Sequence, residues 1–177
     1  MSKFIKSFSA LAVIVIAALT LASCKYNFYN DWSDAGAQIE KDNVFEVLEV
    51  EGAKAKVDAD ETFVLVFGTS TAASAASTVT TLQSTADALE FDGTLYYVDC
   101  TEYINKPADR KMLKETFGLN DSNKISSNLV IAIYDKGELL LDTSDKADDT
   151  KLKNFIDGES VNYAALATYI YTEFNFE

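Results

Sequence analysis

Two cysteines are the residues in this sequence best suited to chemistry, because the chain of 177 residues contains no histidine. Histidine is the commonest acid–base group near neutral pH and the commonest transition-metal ligand. Its absence argues against serine-triad, cysteine-protease and zinc-hydrolase activities. Cys24 and Cys100 are far apart in the chain and form no Cys-x-x-Cys pair, so each is judged from its own surroundings.

Cys24 ends a segment with the features of an export signal. Lys3 and Lys6 precede an almost unbroken apolar run, ALAVIVIAALTL, over residues 10–21. Such a run has signal-peptide length and is too short to span about 30 Å of hydrocarbon comfortably as a permanent helix. The run leads into LASC, which resembles the lipobox of bacterial lipoproteins. The resemblance implies a signal peptide over residues 1–23, cleavage before Cys24 and lipidation of its thiol.

Two alternatives for this segment stay open, an ordinary secretory signal without lipidation and an uncleaved anchor. Under the lipobox interpretation, acyl chains such as palmitate on Cys24 anchor the protein, since each buried methylene contributes about 0.8 kcal/mol. Lys25 rather than Asp follows the cysteine, which permits outer-membrane delivery if the cell has two membranes. We therefore expect an extracytoplasmic protein that is lipid-anchored in the cell envelope.

The composition is strongly acidic, with 28 Asp and Glu against 15 Lys and Arg and a net charge of −13. Loss of Lys3 and Lys6 with the signal peptide makes the mature chain more acidic still. Binding to nucleic acid or to anionic head groups needs clustered basic residues, which the sequence lacks. One cluster of acidic residues raises the question of calcium binding, because calcium prefers oxygen ligands. Its spacing does not match the calcium-loop pattern D-x-[DN]-x-[DN]-G. We therefore expect a solvated loop and no metal. The cluster comprises Asp142, Asp145, Asp148 and Asp149.

Residues 24–43 show no sustained period and predict a lipidated tether or a loosely docked lead-in segment. Four aromatic residues in this stretch indicate packing on the domain or at the bilayer rather than ligand binding. These are Tyr26, Phe28, Tyr29 and Trp32.

Strand-like and helix-like segments alternate after residue 43. The clearest strand is TFVLVFG, over residues 62–68, whose continuous apolar run predicts a central strand buried on both faces. Asp135-Lys136-Gly137 predicts a hairpin turn. We expect strands over 44–50, 62–68, 95–99, 128–134 and 138–141, and helical segments over 51–60, 72–91, 108–117, 150–156 and 161–174.

This order resembles the thioredoxin fold over roughly residues 44–174. It is closest to thioredoxin-like proteins of the bacteriocin-accessory type, with FGTS at residues 67–70 leading into the first long helix. The resemblance implies an α/β domain over residues 44–177. Its architecture would be a three-layer sandwich with a mixed β-sheet of about five strands flanked by helices. Another α/β sandwich with the same local pattern is the alternative.

The resemblance also implies where redox chemistry would lie. In active relatives a Cys-x-x-Cys begins the helix after the central strand, because a helix N-terminus lowers the pKa of the first thiol. Those two positions correspond to Ala72 and Ala75. The position of the family's cis-proline corresponds to Leu129, and the family's buried acid corresponds to Val66. We therefore expect a redox-inactive centre with no cofactor.

Two groups of residues near this centre are candidates for other roles. Ser70, Thr71 and Ser74 place hydroxyl groups at the expected helix start, where they either cap the helix or bind a ligand in the cleft. Cys100 follows a strand and has no partner once Cys24 is lipidated. It is either a half-buried small hydrophobe, a reactive single thiol or one half of an intermolecular disulfide.

The sequence thus predicts a membrane-anchored lipoprotein whose redox-inactive domain is an accessory module for binding an envelope protein or peptide, and not an enzyme. The partners would be the membrane, through the acyl chains on Cys24, and an envelope protein or peptide, but no nucleic acid. One alternative is a structural envelope lipoprotein. The other is a thiol oxidoreductase or peroxidase that uses Cys100.

Overall fold

The computed structural model of the chain describes residues 28–72, 74–144, 151–158 and 160–174. The predicted signal peptide over residues 1–23 and the lipidation site Cys24 lie outside the described residues, and both stay predictions. Within the described part of the chain, no helix has the length and apolar character needed to cross a membrane.

A mixed five-stranded sheet forms the centre of the fold, in the order β1-β3-β2-β4-β5. The first three of these neighbours are parallel, whereas β4 is antiparallel to β2 and β5 is antiparallel to β4. This order and these directions are those of a thioredoxin-like sandwich, as predicted. The strands are β1 (Phe45–Val47), β2 (Phe63–Gly68), β3 (Leu95–Asp99), β4 (Val130–Asp135) and β5 (Glu138–Asp142).

Helices cover both faces of the sheet and complete three layers. One apolar cluster joins the sheet to α1, α3 and α5, and a second joins its other face to α2 and α4. The helices are α1 (residues 28–34), α2 (Val50–Asp58), α3 (Ala75–Ala88), α4 (Pro107–Phe117) and α5 (Tyr163–Thr172). Short 3-10 helices cover Ser122–Ser126 and Leu152–Phe155, and a small ribbon pairs β6 (Ile156–Asp157) with β7 (Ser160–Val161).

β2 is the central strand, as its sequence predicts. Val64 and Val66 belong to one apolar cluster, whereas Phe63, Leu65 and Phe67 belong to the other. Successive side chains of a strand point to opposite faces, so an unbroken apolar run serves both layers at once. All five side chains are buried.

The predicted hairpin between β4 and β5 is confirmed. Both central turn residues have positive φ, 52° at Lys136 and 75° at Gly137. Two positive values give a two-residue turn whose twist matches that of the flanking strands. The start of α4 at Pro107 and its end at Gly118, where φ is 68°, were also predicted from sequence.

Other element boundaries differ from the predictions. The long helix α3 begins at Ala75 rather than residue 72, so neither Ser70 nor Thr71 caps it. The strand expected over 44–50 is only three residues long, because the chain turns into α2 at Val50. In place of the helix expected over 150–156, the described residues form a 3-10 turn and part of the small ribbon.

The packed domain includes residues that we expected to form a tether. Phe28 and Trp32 on α1 are 2% and 1% exposed and lie in the same apolar cluster as Phe45 and Tyr97. Residues 28–43 are thus not a spacer, and the expected boundary at residue 44 is too late. The expectation that the aromatic residues pack on the domain is correct for Phe28 and Trp32.

Candidate binding cleft

A cavity of about 390 Å³ opens where β1, β2 and β3 end. We call it the edge cavity. Ligands of open α/β sheets bind outside the carboxyl ends of parallel strands, because the loops that follow these strands converge there. Its lining combines aromatic rings, hydroxyl groups and carboxylates, from Phe28, Asp31, Trp32, Val47, Glu49, Ser70, Thr71, Tyr97, Asp99 and Thr101.

Three buried aromatic side chains form the apolar part of the edge cavity. The rings of Phe28 and Trp32 both meet Tyr97 nearly edge-on, at centroid distances of 4.9 and 5.8 Å. The Tyr97 hydroxyl donates a hydrogen bond to the carbonyl of Gly68 at 2.9 Å. Burial, followed by the charge of Asp99, raises the pKa of Tyr97 well above its usual value. Tyr97 is therefore a neutral donor at physiological pH.

A chain of hydroxyl groups joins the ends of β2 and β3. Thr69 Oγ1 is fully buried and lies 3.0 Å from Thr71 Oγ1 and 2.8 Å from Thr101 Oγ1. Both the Thr101 hydroxyl and its backbone N–H donate to Asp99 Oδ1, at 2.7 and 3.0 Å. These bonds hold the Asp99 carboxylate at the mouth of the edge cavity. Sequence reasoning missed Thr69, Asp99 and Thr101, although their position just after two strands was a usable signal.

The rim of the edge cavity is acidic. Asp31, Glu49 and Asp99 all line it and all three residues are exposed. Partial burial, then the charges of Asp99 and Asp34, raise the pKa of Asp31. The contributions of Asp99 and Asp34 are repulsions between like charges. Among the described residues that line the cavity, none is basic.

The positions matched to the Cys-x-x-Cys and to the cis-proline carry apolar side chains packed into the core. Ala72 is 7% exposed, Ala75 is fully buried, and Leu129 is 1% exposed. Leu129 lies directly over Gly68, since a Cβ built on Gly68 would come within 2.2 Å of Leu129 Cδ2. The space beside the start of α3 is thus filled, and the edge cavity lies to one side of it.

The three candidate hydroxyl residues do not lie at a single site in the structure. Ser70 and Thr71 line the edge cavity, but Ser74 does not. Ser74 Oγ lies 3.0 Å from the carbonyl oxygen of Ser127 and 2.6 Å from Asn128 Oδ1. Ser74 therefore ties the start of α3 to the loop before β4, which is a structural contact.

Cys100 is a buried thiol beneath the edge cavity. It is fully buried rather than half-buried, and its backbone N–H donates to the carbonyl of Gly68 at 2.7 Å. Burial raises the pKa of the Cys100 thiol to about 12. The thiolate is the nucleophilic form of cysteine, so this residue has little nucleophilic character near neutral pH.

The acidic cluster after β5 contains one buried member among the described residues. Asp142 accepts hydrogen bonds from the backbone N–H groups of Ser144, at 2.6 Å, and Asn120, at 2.8 Å. Asp145, Asp148 and Asp149 lie outside the described residues. In the part of the chain that the structure describes, no three potential ligands are grouped to hold a metal ion.

No protein-family model matches the chain, and no curated protein is similar to it in sequence. The chemistry of the edge cavity and the sequence of the N-terminal segment are therefore the basis for assigning a function.

Proposed function

We propose that this protein is a membrane-anchored extracytoplasmic lipoprotein with a redox-inactive thioredoxin-like domain, which binds a protein or peptide in the cell envelope. One observation carries the binding role. The edge cavity lies at the carboxyl ends of β2 and β3, while the matched redox positions nearby hold the methyl groups of Ala72 and Ala75. A cleft that lies beside the matched redox positions and has no thiol in its lining suits binding rather than disulfide exchange.

The residues at these positions support the proposed lack of redox chemistry. Thiol–disulfide exchange begins when a thiolate attacks a disulfide sulfur. Neither Ala72 nor Ala75 supplies a thiolate, and Cys100 is buried with a pKa of about 12. An oxidoreductase or peroxidase built on Cys100 would have to expose and ionise this side chain.

An insulin-disulfide reduction assay tests the redox part of the proposal. The full chain in detergent micelles is compared with Cys100→Ser and with the double variant Ala72→Cys, Ala75→Cys. We expect no activity from the native chain or from Cys100→Ser. A gain of activity in the double variant would identify a disabled thioredoxin centre. Native activity that disappears in Cys100→Ser would refute the proposal and make Cys100 the catalytic group.

Metabolic labelling tests the anchor. Bacteria that express the full chain are grown with an alkyne analogue of palmitate, and incorporation into the protein is measured by mass spectrometry. We expect labelling of the native chain and of Cys100→Ser, but not of Cys24→Ser. Equal labelling of Cys24→Ser, or none in the native chain, would contradict lipidation at Cys24. The redox and lipidation assays test separate parts of the proposal, so a contrary result in one does not decide the other.

A further inference from the structure

We propose that the edge cavity binds a lysine or arginine side chain of a peptide. This inference rests on the proposed binding function and names the chemical class of its ligand. Three features of the cavity support it: its charge, its aromatic lining and its size.

The charge of the edge cavity favours a cationic group. Asp31, Glu49 and Asp99 border it, and the part of the chain that the structure describes contributes no basic residue to its lining. Ion pairs do form elsewhere on the described surface, so local lysines compensate carboxylates at other places but not here. Those pairs are Lys54–Asp58, Lys56–Glu61, Lys106–Asp109 and Lys111–Glu115. A ligand that brings a positive charge relieves the repulsion among the rim carboxylates.

The aromatic lining favours a ligand that has an apolar part as well as a positive charge. Phe28, Trp32 and Tyr97 are buried below the carboxylates and present apolar surface to the edge cavity. Lysine and arginine side chains have an apolar stem and a charged end, and both bind favourably beside aromatic rings. Such a side chain places its stem against the rings and its charged group at the rim.

The size and polar groups of the edge cavity suit a peptide-borne side chain. Pockets for small ligands have volumes of about 300–1,000 Å³, and this cavity, at about 390 Å³, is near the lower end. The Asp99 carboxylate is held by two hydrogen bonds from Thr101, so it is preorganised to accept one from an ammonium or guanidinium.

Trp32 provides a direct readout of binding, because it is the only tryptophan in the chain and lines the edge cavity. The full chain in detergent micelles is titrated with an end-blocked peptide of sequence Ala-Ala-Lys-Ala-Ala while tryptophan fluorescence is recorded. We expect a saturable change that is weaker when norleucine or glutamate replaces lysine. Butylamine, which carries the same cation without a peptide, should bind less tightly than the lysine peptide.

Charge-neutral variants locate the binding site. Asp31→Asn and Asp99→Asn should each weaken binding of the lysine peptide about three- to fivefold, as for a partly exposed ion pair. The matched control is Glu138→Gln, which removes the same charge at the start of β5, at the opposite end of the sheet from Gly68. We expect Glu138→Gln to leave the affinity unchanged.

Different experimental results would contradict this inference and the proposed function. Equal binding of the lysine and norleucine peptides would overturn the cation preference while leaving a peptide-binding cleft. Equal weakening by Glu138→Gln and Asp99→Asn would show general attraction to an acidic surface and would overturn the site. If butylamine binds as tightly as the lysine peptide, the inference that the ligand is a peptide would be overturned. Reduction of insulin by the native chain would instead refute the redox-inactive function, whatever the peptides do.

Discussion

Replacement of Phe28 by alanine tests whether α1 belongs to the domain. Phe28 is 2% exposed, its ring stacks on Phe45 at a centroid distance of 4.5 Å, and it meets Tyr97 edge-on at 4.9 Å. A buried phenylalanine removes roughly 150 Å² or more from water, which at about 25 cal/mol per Å² is worth about 4 kcal/mol. Measured Phe→Ala losses in protein cores are about 3–5 kcal/mol. We therefore expect the free energy of unfolding to fall by about 4 kcal/mol in Phe28→Ala.

Urea unfolding of residues 25–177 measures this loss. Trp32 fluorescence reports on α1, and far-ultraviolet circular dichroism reports on the sheet and the other helices. With a urea dependence of about 2 kcal/mol per M, the midpoint should fall by about 2 M. The two signals should change together, because α1 and the sheet share one apolar cluster.

Tyr29→Ala is the matched control on the same helix. Tyr29 is partly exposed, and its described contact is Lys41, whose Nζ lies 5.9 Å from the ring centroid. We expect the control to lose about 1 kcal/mol or less. Equal losses from Phe28→Ala and Tyr29→Ala, or a Trp32 transition separate from the loss of circular dichroism, would refute the assignment of α1 to the core.

Three further predictions concern buried or strained positions. Cys100 in the native chain should react with iodoacetamide at pH 8 at least about 1,000-fold more slowly than Cys100 in the urea-unfolded chain, because its pKa of about 12 leaves little thiolate. A difference in rate below about tenfold would contradict this. Gly137→Ala should cost about 1–3 kcal/mol in thermal unfolding, because its Cβ would meet a backbone carbonyl oxygen of α2 at 2.5 Å; Gly158→Ala, with positive φ but nothing within 4 Å, should cost less. Asp142→Ala should lose about 3 kcal/mol in urea unfolding, since the buried backbone N–H of Ser144 and the part-buried N–H of Asn120 lose their acceptor. A loss no larger than that of Asp142→Asn would argue against this role.

Elements with a strong local pattern were predictable from sequence. The apolar run from Phe63 to Phe67 fits a strand covered on both faces. The Lys136-Gly137 turn pairs Asp135 with Glu138 and Tyr134 with Leu139, and a bulge then shifts the register at Ile133. The start of α3 was placed three residues early, because a stretch rich in alanine, serine and threonine gives no sharp capping signal. Ser74, the residue before that helix, makes its described side-chain contacts with the loop before β4 instead.

The edge cavity depends on contacts between distant parts of the chain, and so it was only partly predictable. Ser70 and Thr71 were identified because they precede the expected start of the long helix. The contact of Trp32 with Tyr97 joins residues from α1 and β3, and no local period in residues 24–43 indicates it. The bond between Thr69 and Thr101 likewise exists only because β2 and β3 are neighbours in the sheet.

The burial of Phe28 in the domain core, four positions after Cys24, limits how far a lipidated domain can travel from a bilayer. Only three residues separate it from Cys24, and a fully extended chain reaches at most about 3.6 Å per residue, or roughly 14 Å over this interval. A spacer running to residue 43 would have allowed about 70 Å. With Cys24 lipidated as proposed, Phe28 stays within about this distance of the headgroup layer, and the edge cavity that it lines therefore stays close to the membrane. Within that limit, we expect thin, extended segments of membrane-bound partners to reach the edge cavity more readily than bulky folded domains.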